Sequence, residues 1–598
     1  MASKNVKQRK EIDEKFKWDI EAMYTPETKW QEDFDASLKA ASEYGRFKGR
    51  LGESAAVLKE ALKEKDRIWQ QAERVYVYAR MRRDEDNRVG KYVEMAGKCH
   101  VLLSEISSSL SFFTPELLAV DEKVIFGYLD ADKELEIYRH YIEDTFRIKA
   151  HVLSEVEENL LAQISRITDA SGEIFNTLNN ADIKFGRIID EDGDSVELTH
   201  GNFISFMESK DRRVRQEAFQ HMYASYTAQI NTIATAYDYN VRTGCIFSKL
   251  RKYENARAGA LSGDNVKEEV YDNLIKVVND YLPSLHQYMK TRKRLLGVEP
   301  LKMYDIYVPL VDVPERKISF DDAVQLMNEG LAPLGPEYLD VVNHGIRSRW
   351  VDIYENEGKT SGAYSFGSYD SMPYIMMNFA GKLKDAFTLI HEMGHSMHSY
   401  FTRNTQPFVY GGHSIFTAEV ASTVNEALMM QRMLATEKDA AMKKYLLNIY
   451  IEEFRTTLFR QTMFAEFEDM THKASEAGTI LTPEWLCREY KKLNEKYFGE
   501  AVDLGDEIQY EWARIPHFYR AFYVYKYATG YSAATAISKI LLQGGESERH
   551  DYIRFLRSGD SDYPIELLKI AGVDMSTEQP IKEALETFKT LVTEFDSL

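Results

Sequence analysis

The chain has 598 residues, 44% hydrophobic and 28% charged, the balance of an ordinary folded protein long enough to bury a sizeable core. A formal net charge of -20 disfavours nucleic acid and anionic membrane surfaces as partners. Cys99, Cys245 and Cys487 are far apart and form no C-x-x-C pair, which excludes a disulfide framework and a thiolate metal site, and no apolar run has signal-peptide or membrane-spanning character. A cytoplasmic, reduced protein is expected, as a monomer or small homo-oligomer.

With only 14 prolines, the chain reads as mostly helical. Ile68, Ala72, Val75 and Ala79 form a helical stripe; Thr114-Pro115-Glu116 reads as an N-cap followed by Pro at the first helical position; Ser154 with Glu157 is a capping box. Two β-prone runs, 183–189 and 195–198, flank Glu191-Asp192-Gly193-Asp194 and predict a hairpin. Just beyond it the chain is expected to divide, with 1–200 an N-terminal helical region ending in that hairpin and 201–598 carrying the chemistry. Helical patterns resume from about 201 to 296, and the basic run Lys290-Thr291-Arg292-Lys293-Arg294 within them reads as a solvated face. Residues 303–309 break the pattern, and Pro314 marks an irregular connection. Short strands are expected at 362–366 and 374–379, where an exposed edge could pair with an extended peptide backbone.

Residues 383–400 contain no Pro, and Leu383, Phe387 and Ile390 recur at helical spacing. This helix carries His391-Glu392-Met393-Gly394-His395, the H-E-x-x-H pattern of zinc-dependent peptidases. Residues four apart share a helix face, so His391 and His395 can bite one ion, while Glu392 lies beside it as a general base. Gly394 weakens the helix slightly and leaves space beside the histidine pair.

A catalytic zinc takes three protein ligands and keeps a position for water. The metzincin arrangement is excluded, because the positions that would need Gly and His hold His398 and Phe401. The next helical pattern, 416–426, supplies Glu419, which is the expected third ligand; His413 and Glu426 compete for the role, and Glu426 could instead orient a ligand histidine. His398 is read as supporting or structural. Downstream, five Tyr and one His fall within 517–531, among them His517, Tyr523 and Tyr527, a set of donors able to stabilise an oxyanion.

Together these stretches resemble the thimet-oligopeptidase-like zinc peptidases, and within them the bacterial oligoendopeptidase F group. The resemblance covers most of the chain: Tyr304-Asp305 with Pro309, Gly362-Ala363-Tyr364, His391 to His398, Phe416 to Glu426, Arg460 to Glu468, the His517 segment and Ser558-Gly559-Asp560-Ser561. It implies a mainly α, two-lobed zincin-type body with a deep central channel, zinc on its floor and a small β-sheet near the active site. It further implies one zinc ion per chain on His391, His395 and Glu419, Glu392 as base, and His517 as a substrate-binding residue. A Tyr a few residues later should also contact the substrate, Tyr527 before Tyr523, and Gly411-Gly412 looks like the family's substrate loop. Such enzymes cleave short, extended peptides internally. Two other readings stand beside this one: a zinc metallocarboxypeptidase and a non-catalytic helical peptide-binding protein.

Overall fold

The computed structural model describes residues 6–312 and 317–598, apart from the side chains of residues 155, 159, 162, 165 and 166. Pro314, expected to mark an irregular connection, lies outside the described residues. Helices dominate what is described. The chain forms two compact units, each assembled from separated stretches: Met1–Lys149, Glu315–Arg432 and Ile537–Val573 in the first, and Ala150–Pro314, Met433–Ala536 and Asp574–Leu598 in the second. No helix among the described residues is long and apolar enough to cross a membrane.

Nine helices carry the sites and their supports. In chain order they are α1 (Ala55–Glu85), α2 (Gly90–Leu110), α3 (Ile230–Leu250), α4 (Gly335–Arg347), α5 (Leu383–Arg403), α6 (Ile415–Thr436), α7 (Arg460–Glu476), α8 (Tyr525–Gln543) and α9 (Glu546–Leu556). Helix α1 starts where Ser54 accepts the Val57 N–H, and its stripe of Ile68, Ala72, Val75 and Ala79 is buried, with α2 packed alongside. The Ser154–Glu157 capping box forms, and six helices follow between His200 and Leu296.

Two local readings change. The helix expected to open at Thr114 runs over Phe113–Ala119, because Phe113 and Leu117 are buried as an i, i+4 pair; Glu116 accepts the N–H groups of Gly49 and Leu51 instead. Nor is the basic run at 290–294 a uniformly solvated face. Arg292 is only 1% exposed, pairs with Glu452, and donates to the carbonyls of Asp305 and Val308, and Thr291 is buried beside it; Lys290 is exposed, and Lys293 and Arg294 reach outward to Glu299 and Asp596.

The strands are short: β1 (Arg187–Ile189), β2 (Ser195–Glu197), β3 (Leu301–Lys302), β4 (Val351–Asp352), β5 (Tyr364–Phe366), β6 (Tyr374–Met376) and β7 (Val502–Asp503). The hairpin expected around Gly193 is β1–β2, antiparallel with Ile188 opposite Val196, and Gly193 has φ +87°. The expected strands at 362–366 and 374–379 are β5 and β6, paired antiparallel; β4, too short to read in the sequence, runs parallel on the other side of β6.

A buried ionic cluster ties the first unit's N-terminal stretch to this sheet. Asp352 of β4, 2% exposed, accepts from Arg9 at 2.7 Å and from Lys359 at 2.7 Å, while Arg9 also meets Glu85 at the end of α1 at 2.7 Å. Lys359 donates further to the carbonyls of Tyr354 and Met377.

Helix α5 is buried almost all round from Ala386 to Thr402. Its apolar stripe lies in the core, but Ser396, Ser399 and Thr402 are buried too, because α4, α6, α9, β5 and β6 surround it. Each fully buried Ile390, Met393 or Met397 contributes about 1.5–3 kcal/mol. The helix is therefore held rigidly along its length.

Candidate metal centre and active site

Helix α5 puts the Nε2 atoms of His391 and His395 3.2 Å apart, and α6 brings Glu419 Oε2 to 3.6 Å from the first and 3.7 Å from the second. Tetrahedral coordination with bonds of about 2.0–2.2 Å sets ligand atoms about 3.3–3.6 Å apart, so this donor set fits a zinc-like ion. Among the described residues, these three form the group of His, Cys, Asp and Glu able to hold a metal.

Glycine makes the convergence possible. A methyl on Gly394 would lie 2.5 Å from Ser422 Cα and 2.8 Å from the Ala421 carbonyl oxygen, so α6 approaches α5 closely only because that Cβ is missing. Asn425 of α6 donates to the Ile390 carbonyl and accepts from the buried Tyr338 hydroxyl on α4, which fixes the rotation of the pair. A Gly394→Ala variant gains up to about 1 kcal/mol of helix propensity but overpacks the crossing at about 1–3 kcal/mol. The expected outcome is a lower melting temperature together with reduced metal retention on dialysis, checked by calorimetry and elemental analysis.

Both histidines have a further partner. Glu426 Oε2 lies 3.0 Å from His391 Nδ1, and His395 bonds the Ala418 backbone. Glu426 thus meets His391 at Nδ1 and stands outside the candidate ligand cluster. Burial draws the His391 imidazole down, but the Glu426 hydrogen bond and charge outweigh it and hold it at about 9; burial and the neighbouring His391 push His395 down to about 3. Glu426→Ala should weaken metal affinity about 10- to 100-fold, read by competition with a chromophoric chelator; unchanged affinity would rule Glu426 out as the residue that orients His391.

Glu392 is 8% exposed, and burial pushes its carboxyl up to about 7, opposed by His391. It accepts the backbone N–H of Ser365 on the edge strand β5, whose hydroxyl meets Ser396 of α5 at 2.8 Å. No sequence pattern could expose this support, because a backbone group makes it. His413, the other competitor for the ligand role, stacks on His398 at 4.2 Å and 12° instead; burial lowers both.

The Gly411-Gly412 loop is held from two sides. A methyl on Gly411 would strike the Tyr369 ring at 2.5 Å, and Gly559, at φ +52°, sits where a Cβ would come within 2.1 Å of the Tyr410 carbonyl oxygen. The Ser558-Gly559-Asp560 turn thus packs directly under this loop, with Asp560 N–H donating to Tyr410.

His517, Tyr523 and Tyr527 belong to the second unit. His517 lies in a short 3-10 turn, Pro516–Tyr519, ahead of α8, and the three rings cluster: His517 is parallel to Tyr523 at 6.2 Å and edge-on to Tyr527 at 6.0 Å, and the two phenol oxygens are 3.4 Å apart.

A buried helix carrying His-Glu-x-x-His, crossed by a second helix that returns a glutamate, defines a helical metallopeptidase of the H-E-x-x-H class. The model of "Peptidase family M3" matches residues 205–587, and that of "Oligopeptidase F" matches 116–185. The chain belongs to Peptidase family M3, in its oligoendopeptidase F group, and is a peptidase. It is 44% identical to oligopeptidase PepF of Bacillus subtilis, over 99% of this chain and 88% of that protein. Its fold matches oligoendopeptidase-F from Enterococcus faecium with a TM-score of 0.76 at 38% identity, covering 95% of this chain and 98% of the other. A crystal structure from Chlamydophila abortus, whose protein carries only the general designation peptidase, matches with a TM-score of 0.93 at 34% identity over 99% of this chain and 100% of that one.

Proposed function

We propose that this chain is a zinc-dependent endopeptidase that hydrolyses internal bonds of short peptides bound in extended form. The observation that carries the reading is the convergence of His391 Nε2, His395 Nε2 and Glu419 Oε2 at tetrahedral spacings, which suits one zinc ion per chain. When bound, zinc lowers the pKa of a water towards about 7 and polarises a carbonyl. Glu392 receives the proton of the attacking water on its carboxylate and delivers it to the nitrogen of the leaving amine. His517, with Tyr527 as first choice and Tyr523 as second, donates hydrogen bonds to the oxyanion of the tetrahedral intermediate.

The names oligopeptidase and oligoendopeptidase carried by its relatives support the limit to short substrates. The proposed site residues all lie within 201–598, which we take as the catalytic region, with 1–200 as the N-terminal helical region. The net charge of -20 argues against nucleic acid and membranes as partners, and three free cysteines suit a cytoplasmic setting. A monomer or small homo-oligomer completes the proposal.

The test is hydrolysis of one internally quenched peptide of about ten residues, extended over about 33–36 Å, with and without chelator and with mass readout. Internal cleavage lost with chelator and restored by zinc supports the proposal. Release of single residues from the C-terminus would replace it with a metallocarboxypeptidase.

A further inference from the structure

Between His517 and α8 the chain contains a backbone conformation that its side chain should resist. Phe522 has φ +55°, in the left-handed region where a bulky side chain is a genuine outlier, and such strain persists only when the surroundings over-determine it. The ring is 3% exposed, lying 4.5 Å from His472 and 5.7 Å from Tyr271. Its backbone N–H donates to Glu468 Oε1 at 3.1 Å.

Glu468 is itself anomalous. It is wholly buried on α7, its Oε2 has no hydrogen-bond partner, and burial raises its carboxyl well above the usual range. A buried carboxyl with one bond is costly, and among the described residues no cation pairs with it. Its backbone carbonyl accepts from His472 Nδ1, and α3 packs against the same stretch, with the Tyr237 hydroxyl bonded to Thr471. The chain therefore sets a costly side chain against a costly backbone at a single hydrogen bond.

What that bond controls is the direction of the next residue. Phe518, Phe522, Val524 and Tyr525 are anchored in the core, while His517, Tyr523 and Tyr527 are half-buried. The left-handed step at Phe522 folds Tyr523 back so that its ring lies parallel to His517, with the Arg520 guanidinium 4.6 Å from the Tyr523 ring centroid. With Phe522 relaxed to an ordinary φ, Tyr523 would leave this position.

We propose that Glu468 is a positioning residue: by holding the Phe522 N–H it fixes the left-handed turn that sets Tyr523 against His517 and Tyr527. Its catalytic consequence rests on the reading of His517 and its tyrosines as substrate-binding donors. Glu468 acts through the turn and needs no contact with substrate. Glutamine at 468 would keep an acceptor for the Phe522 N–H, whereas leucine would fill the volume and remove the acceptor.

The experiment uses full-length zinc-loaded protein with 3-fluorotyrosine placed at position 523, and it compares Glu468→Leu, Glu468→Ala, Glu468→Gln and His517→Ala. Fluorine NMR reports the Tyr523 environment; kcat and KM are measured on the internally quenched peptide, and zinc content on each protein. The expected result is a displaced Tyr523 resonance in Glu468→Leu and Glu468→Ala, with kcat down about 10- to 100-fold at unchanged zinc content, and recovery of both in Glu468→Gln. An unmoved resonance in Glu468→Leu would overturn the proposal. So would a moved resonance with wild-type kcat while His517→Ala is slow. If His517→Ala itself keeps full kcat, the catalytic reading of the cluster falls, and the resonance alone decides whether Glu468 holds the turn. If Glu468→Ala does not fold, the leucine variant carries the comparison.

Discussion

A Glu392→Gln protein is expected to retain its metal at wild-type stoichiometry and to lose peptide hydrolysis by at least about 10²- to 10⁴-fold, the span that general acid–base catalysis supplies. The amide fills the same buried space beside β5 and can still accept the Ser365 N–H, so the fold and the His391–His395–Glu419 group should survive. What it cannot do is take a proton and return it. The contrast is His395→Ala, which removes one of three metal donors and should lose metal and activity together. Elemental analysis beside single-turnover kinetics separates the two outcomes. A Glu392→Gln protein with substantial turnover would take the base role away from Glu392.

Asp352→Ala should cause the largest loss of stability, about 3–5 kcal/mol, because it leaves the buried Lys359 side chain without its carboxylate and the half-buried Arg9 with Glu85 alone. The effect has a defined pH dependence. Burial opposes the Asp352 charge, yet Lys359 and Arg9 together hold its folded-state pKa below the usual carboxylate value. A depressed carboxylate pKa stabilises the fold above the unfolded pKa of about 3.9, and that stability disappears as pH falls through the lower folded value. The wild type should therefore exceed the variant at neutral pH, and the gap should close below about pH 4. Denaturant midpoints followed by tryptophan fluorescence at several pH values measure it; a gap that stayed constant across that range would show that the cluster does not work through the Asp352 charge.

The metal helix was legible because its chemistry and its periodicity coincide: His391 and His395 are one turn apart, and the stripe through Phe387 and Ile390 marks the same helix. Glu419 and Glu426 were legible as two carboxylates two turns apart on the next helix, and the structure sets Glu419 near both histidine Nε2 atoms and Glu426 against His391 Nδ1. The burial of α5 almost all round was not, since Ser396 and Thr402 look like surface residues until Ser365 and the Leu556 carbonyl are found to satisfy them. Strand β4 escaped notice because two residues carry no alternation. The Phe522 turn was invisible for a different reason: in sequence, Phe there reads as one more aromatic in an aromatic stretch, and only its positive φ sets it apart.

The discontinuous make-up of the first unit also bears on how the protein is born. Its last stretch, Ile537–Val573, contributes α9, which packs on α5. A ribosome making about 5–20 residues per second therefore releases the H-E-x-x-H helix about 8–30 s before the residues that finish its cover. During that interval the nascent chain carries both histidines and the glutamate of the candidate metal group while the H-E-x-x-H helix still lacks one of its walls. The wall that closes over this group of side chains is thus supplied only after residues 546–556 have been made.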